Sequence, residues 1–130
     1  MGALAALVAV GVALAAASAA SASPRYAFGR AGGNIAPFTV TIAPTGRVAV
    51  TGPARVGRTT LTAAQLSALA TIVARLAGLP ARTLCTGSLP DFASQFVTAG
   101  GRTVSVRGSC SPRFTRTWNA LASAVRLSTR

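Results

Sequence analysis

The chain contains no lysine, no histidine and no glutamate, and its only acid is Asp91. Thirteen arginines stand against that one carboxylate, so the 130 residues carry a net charge of +12. These absences exclude much chemistry. General acid–base catalysis draws on His, Asp, Glu or a tuned Lys held at the reacting group. A serine nucleophile needs a neighbouring base. Glycoside hydrolysis needs a pair of carboxylates. A zinc site needs about four ligands, and the two cysteines, Cys85 and Cys110, have no histidines to join them. Arginine stays protonated at neutral pH and cannot accept a proton. Enzymatic activity, bound metal and bound cofactor are therefore not expected.

Aromatic residues are also few, 5% of the chain. Phe38, Phe92, Phe96, Phe114 and Trp118 all fall at core-facing phases of the elements they belong to. That leaves no stacking platform of the kind single-stranded nucleic acid requires, so nucleic acid is not an expected partner.

What the chain does contain begins with an apolar run. Gly2 to Ala17 is unbroken by any charge, and Ala20-Ser21-Ala22 supplies a small-residue cleavage signature before Ser23-Pro24-Arg25. This is the layout of a secretory signal peptide, although no basic residue precedes the run. The alternative is an uncleaved anchor, since a span needs about 20 apolar residues. Export is the expectation, with residues 1–22 removed and residues 23–130 secreted or extracytoplasmic. Two cysteines in an exported chain read as a disulfide, here Cys85–Cys110.

Beyond the leader, residues 23–36 hold Pro24, Gly29, Gly32, Gly33 and Asn34. They read as a flexible N-terminal segment or, around Tyr26–Phe28, a short first strand. Residues 37–130 read as a single domain. Phe38, Val40 and Ile42 alternate on one face, Pro44-Thr45-Gly46 turns, and Arg47–Thr51 returns as a second strand. Arg55–Leu61 is ambiguous between a loop and a third strand. Thr62 with Gln65 forms a capping box, and Leu66, Leu69, Val73 and Leu76 follow at helical spacing. Gly78 and Pro80 then stop the helix. A loop over Leu79–Pro90 carries Cys85. Asp91 is placed to cap the entry to a second hairpin, Phe92–Thr98 and Arg102–Arg107 around Gly100-Gly101. Ser111 and Pro112 open a second helix whose Phe114, Trp118, Leu121 and Val125 share one face. The predicted class is α+β, in the order ββαββα, with both helices on one face of an antiparallel sheet.

Two further signals concern ligands. Gly52-Pro53-Ala54-Arg55-Val56-Gly57-Arg58-Thr59 has the glycine spacing of a phosphate-binding P-loop after a predicted strand. Arg replaces the motif's Lys, the helix begins only after Thr62, and no later strand carries an acid for magnesium. The segment reads as a glycine-punctuated loop, and no nucleotide is expected. The arginines themselves are the second signal. Arg55 and Arg58, Arg102 and Arg107, and Arg113 and Arg116 fall in neighbouring pairs and are candidate anion-binding residues, because guanidinium pairs bidentately with phosphate and carboxylate. A cationic surface of this strength favours anionic wall polymers or lipid headgroups.

The runs "GRVAVTG" (46–52), "LTAAQLSALATIVARL" (61–76), "FVTAGGRTVSV" (96–106) and "PRFTRTWNALASAV" (112–125) follow in order. That layout, over most of residues 38–125, resembles the emfourin group of small inhibitors of thermolysin-like metallopeptidases and similar exported bacterial proteins. The chain differs from that group in its export signal, its cysteine pair and its basicity. The resemblance implies a non-catalytic binding domain whose partner is a secreted peptidase. It carries no individual inhibitory residue onto this sequence. The competing expectation is a cationic cell-envelope protein that binds anionic polymer through arginine.

Overall fold

Alternation of large apolar and small polar residues dictates the sheet. In the computed structural model, which describes residues 23–129, Phe38, Val40 and Ile42 of β2 (Phe38–Ile42) are buried and Thr39 and Thr41 face the other way. β3 (Val48–Thr51) returns antiparallel to it. The second expected hairpin also forms, from β6 (Ser94–Ala99) and β7 (Arg102–Arg107). The expected leader, residues 1–22, lies outside the described residues.

The two hairpins do not meet directly. β1 (Tyr26–Ala31) lies between them and pairs antiparallel with both β2 and β6. Of the two readings of 23–36, the short first strand around Tyr26–Phe28 holds and the flexible segment does not: β1 is an inner strand of the six-stranded sheet, ordered β3-β2-β1-β6-β7 and then β5 (Arg82–Leu84). Gly29 makes the close pairing possible. A Cβ there would collide with the backbone of Phe38 on β2, so glycine marks a close backbone approach rather than a break.

β5 (Arg82–Leu84) adds to the edge of the sheet, parallel to β7. β4 (Ala54–Val56) leaves the main sheet and pairs with β8 (Leu127–Thr129) in a separate two-stranded ribbon. The class is α+β as expected, but the element order is richer than ββαββα. β1 and β4 fall where the sequence offers a strand only as one of two readings, and β5 and β8 carry no hydrophobic pattern that marks them.

Both helices cover one face. In α1 (Ala63–Val73) the capping box is complete: Gln65 N–H donates to Thr62 Oγ1 at 3.2 Å, and Thr62 N–H donates to Gln65 Oε1 at 2.8 Å. Leu66, Leu69 and Val73 are buried, and a 3-10 turn over Ala74–Leu76 buries Leu76 before Gly78 takes a positive φ. α2 (Pro112–Val125) starts with Pro112 as expected, but the Ser111 side chain makes no capping bond. Its face of Phe114, Trp118, Leu121 and Val125 is buried.

Trp118 joins this helix to the sheet. Its ring meets Phe28 edge-on at 5.7 Å, and its Nε1–H donates to Gly29 O at 3.1 Å. Among the described residues no helix covers the opposite face of the sheet. By register that face presents Ala27, Gly29, Thr39, Thr41, Thr98, Thr103 and Ser105, with Phe96, Arg82 and Arg107 toward one end.

Candidate functional site: an apolar end held by a disulfide

Buried apolar positions absorb most large hydrophobic residues, so the exposed ones are informative. Among the described residues these are Ile35, Leu84, Leu89 and Phe92, between 43% and 66% exposed. They come from three places in the chain and gather at one end of the sheet. Leu84 ends β5, Leu89 and Phe92 lie in the loop from β5 to β6, and Ile35 lies in the β1–β2 loop.

Four links hold these loops. Cys85 and Cys110 form the expected disulfide, with Cα atoms 5.6 Å apart, which fastens the loop after β5 to the segment after β7. Cys85 N–H continues the strand pairing by donating to Arg107 O at 2.9 Å, and Ser88 Oγ–H donates to the same carbonyl at 3.1 Å. Asn34 N–H donates to Asp91 O at 3.1 Å. That last bond seats the β1–β2 loop on residues 91–93, and Gly33 is needed because a side chain there would strike their backbone.

Two sequence expectations change here. Phe92 is half exposed rather than core, because β6 begins only at Ser94 and Phe92 sits in the turn before it. Phe96 lies on the uncovered face, since its register partners are Gly29 and Ser105 while Val97 faces the helices. Asp91 ties its loop through the backbone carbonyl, and no cap from its carboxylate forms among the described residues.

The end is not flat. On the helix side a concavity of about 360 Å³ is lined by Arg30, Ile35, Asp91, Phe92, Gln95 and Val106. On the uncovered face a groove of about 390 Å³ runs between Phe96, Leu84, Arg82 and Arg107. Sequence reasoning missed this surface. The available signal was that Leu84 and Leu89 belong to no periodic pattern yet flank Cys85.

The six candidate arginines are scattered by the fold. Arg58 Nη1 donates to Ala124 O at 3.1 Å, while Gly57 N–H and Arg58 N–H donate to Val125 O. The P-loop-like segment therefore spends its donors on the C-terminal carbonyls of α2. Arg102 Nη2 donates to Leu79 O, and Arg55 stands exposed on β4. Arg107 lines the groove on the uncovered face with Arg82, a residue outside the expected set. Arg113 and Arg116 do come together. They line a concavity of about 480 Å³ with Pro112 and Arg75, the latter also unforeseen. Arg25 and Arg30 lie over the rings of Tyr26 and Trp118 at 6.0 and 5.0 Å.

Among the described residues no three His, Cys, Asp or Glu side chains gather. No helix among them is long and apolar enough to cross a membrane. Compared with family models, with curated proteins and with solved structures, the chain matches none.

Proposed function

We propose that this chain is a small exported, non-catalytic binding protein, inhibitor-like in its mode, whose apolar disulfide-held end engages a secreted peptidase. The observation that carries the reading is that Ile35, Leu84, Leu89 and Phe92, all exposed, stand at the one end of the sheet that the disulfide holds. Exposed apolar side chains clustered in this way favour a protein partner, and loops ordered before binding lose less entropy when they dock. The resemblance to emfourin-type inhibitors supports the choice of a metallopeptidase. Export rests on residues 1–22 and agrees with the cysteine pair.

A second reading, a cationic envelope protein that binds anionic polymer, is favoured by the gathering of Arg75, Arg113 and Arg116 around one concavity. Salt separates the two. The protein is titrated into a thermolysin-like metallopeptidase, and separately onto a poly(glycerol phosphate) matrix, at rising sodium chloride. The first reading expects inhibition that persists in salt, slowed mainly in on-rate. Absence of inhibition together with matrix binding that collapses with salt would overturn it in favour of the second.

A further inference from the structure

The groove on the uncovered face has a composition unlike the rest of that face. Its floor is small and hydroxylic, from Ser94 and Ser105. Phe96 and Leu84 supply apolar walls, and Arg82 and Arg107 supply charge. The register fixes this arrangement. Ser105 lies between Phe96 on β6 and Arg82 on β5, and Arg107 lies beside Leu84.

Arg107 is the distinctive member. Its Nε is buried and has no hydrogen-bond partner. Arg58 and Arg102, by contrast, donate to backbone carbonyls, and Arg25 and Arg30 rest on aromatic rings. A buried donor left unpaired is uncommon and marks a guanidinium whose charge no neighbouring group of the fold offsets; lining the groove beside Arg82, it favours a carboxylate there. The one side-chain carboxylate, that of Asp91, lines the concavity on the helix side instead.

We infer that this groove binds a carboxylate carried on an apolar body, namely an acidic side chain flanked by apolar residues in an extended segment of a protein partner. The carboxylate pairs with Arg107 and Arg82, and the apolar flanks lie on Phe96 and Leu84. Leu84 belongs both to this groove and to the apolar end, so the groove extends the proposed contact surface around the sheet edge. The inference rests on the binding-protein reading for the polypeptide nature of its ligand, but not on the partner being a peptidase.

The test uses the purified protein with arginine side chains labelled with nitrogen-15, followed by NMR at the Nε–H resonances. The probes are the blocked peptides acetyl-Leu-Glu-Leu-amide and acetyl-Leu-Gln-Leu-amide, and hexanoate. Saturable shifts at Arg107 and Arg82 are expected with the Glu peptide, and binding about tenfold weaker or worse with the Gln peptide, which cannot form a charge-assisted pair. Arg107→Gln and the more exposed Arg82→Gln should each weaken binding about fivefold or more. Arg47→Gln, which removes the same charge near the opposite sheet edge, should not. Equal shifts with Glu and Gln peptides, equal losses in Arg47→Gln and Arg82→Gln, or binding of hexanoate without the Glu peptide would each overturn the proposal. No peptidase is present, so this result is independent of the inhibition assay.

Discussion

Replacing Trp118 with alanine removes the side chain on which α2 and the centre of the sheet are joined. Three contributions go with it. The indole is 4% exposed, and a buried aromatic of its size removes about 150–250 Å² from water. At about 25 cal/mol per Å² that is about 4–6 kcal/mol, an upper figure because the unfolded chain is itself partly collapsed. The edge-on contact with Phe28 adds about 0.5–1.5 kcal/mol. The bond from Nε1 to Gly29 O adds about 1 kcal/mol, so its carbonyl loses a partner in the centre of the sheet. Partial relaxation of the cavity offsets some of this, and large aromatic deletions in cores cost about 3–5 kcal/mol. Trp118→Phe keeps an aromatic ring against Phe28 and loses the donor, so its cost should fall to about 1–2 kcal/mol. For a domain of this size each kcal/mol lowers Tm by about 4–8 °C, so the alanine variant should melt at least about 12 °C below the wild type. Trp118 is the sole tryptophan, so its fluorescence cannot report on the variants. Far-UV circular dichroism in urea and on heating is the assay. A Trp118→Ala protein that melts with the wild type, or a Trp118→Phe protein that is as damaged as Trp118→Ala, would refute the packing described for α2.

Other consequences are as direct. Gly29→Ala should prevent folding or lower stability by several kcal/mol, because the added methyl meets Phe38 backbone that pairing holds in place; a soluble variant with native circular dichroism would contradict it. Opening the disulfide, by reduction or by Cys85→Ala with Cys110→Ala, should cost about 3.5 kcal/mol on the chain-entropy account of a loop of this length, read as a lower urea midpoint; an unchanged midpoint would show that strand pairing alone fixes this end. N-terminal sequencing of the secreted protein should begin at Ser23, and a retained chain that begins at Met1 would contradict export.

The elements legible in the sequence were those with an undisturbed period. Phe38-Val40-Ile42, the Val104-Val106 return and the two helical stripes each repeat large apolar residues without interruption, and each is a strand or helix where expected. The elements left ambiguous, β1 and β4, and those unmarked in the sequence, β5 and β8, lack such a period. β1 carries Gly29 at its centre and is followed by Gly32-Gly33, so its pattern looks like a loop, yet the glycine serves strand packing. β4, β5 and β8 are each only three residues long, too short for a period to show. The disulfide was readable from cysteine count and the export signal. The apolar end was not, because the end of β5 with the loop after it and the distant β1–β2 loop build it together, and the Phe92 position was assigned to a strand that starts two residues later. Likewise Arg75 and Arg82 join other arginines only through helix packing and the parallel pairing of β5, neither of which has a local signature.

If the disulfide-held end is the binding surface, a variant altered only there loses inhibition while keeping the fold. Leu89 and Phe92 are exposed, so Leu89→Asp with Phe92→Asp should leave Tm nearly unchanged. If this end docks in a metallopeptidase cleft, the wild type inhibits a thermolysin-like enzyme at a fixed stoichiometry and the double variant weakens inhibition about 100-fold or more, as loss of central apolar contacts does. A double variant that inhibits as well as the wild type, or a correctly folded wild type that does not inhibit at all, would contradict the account.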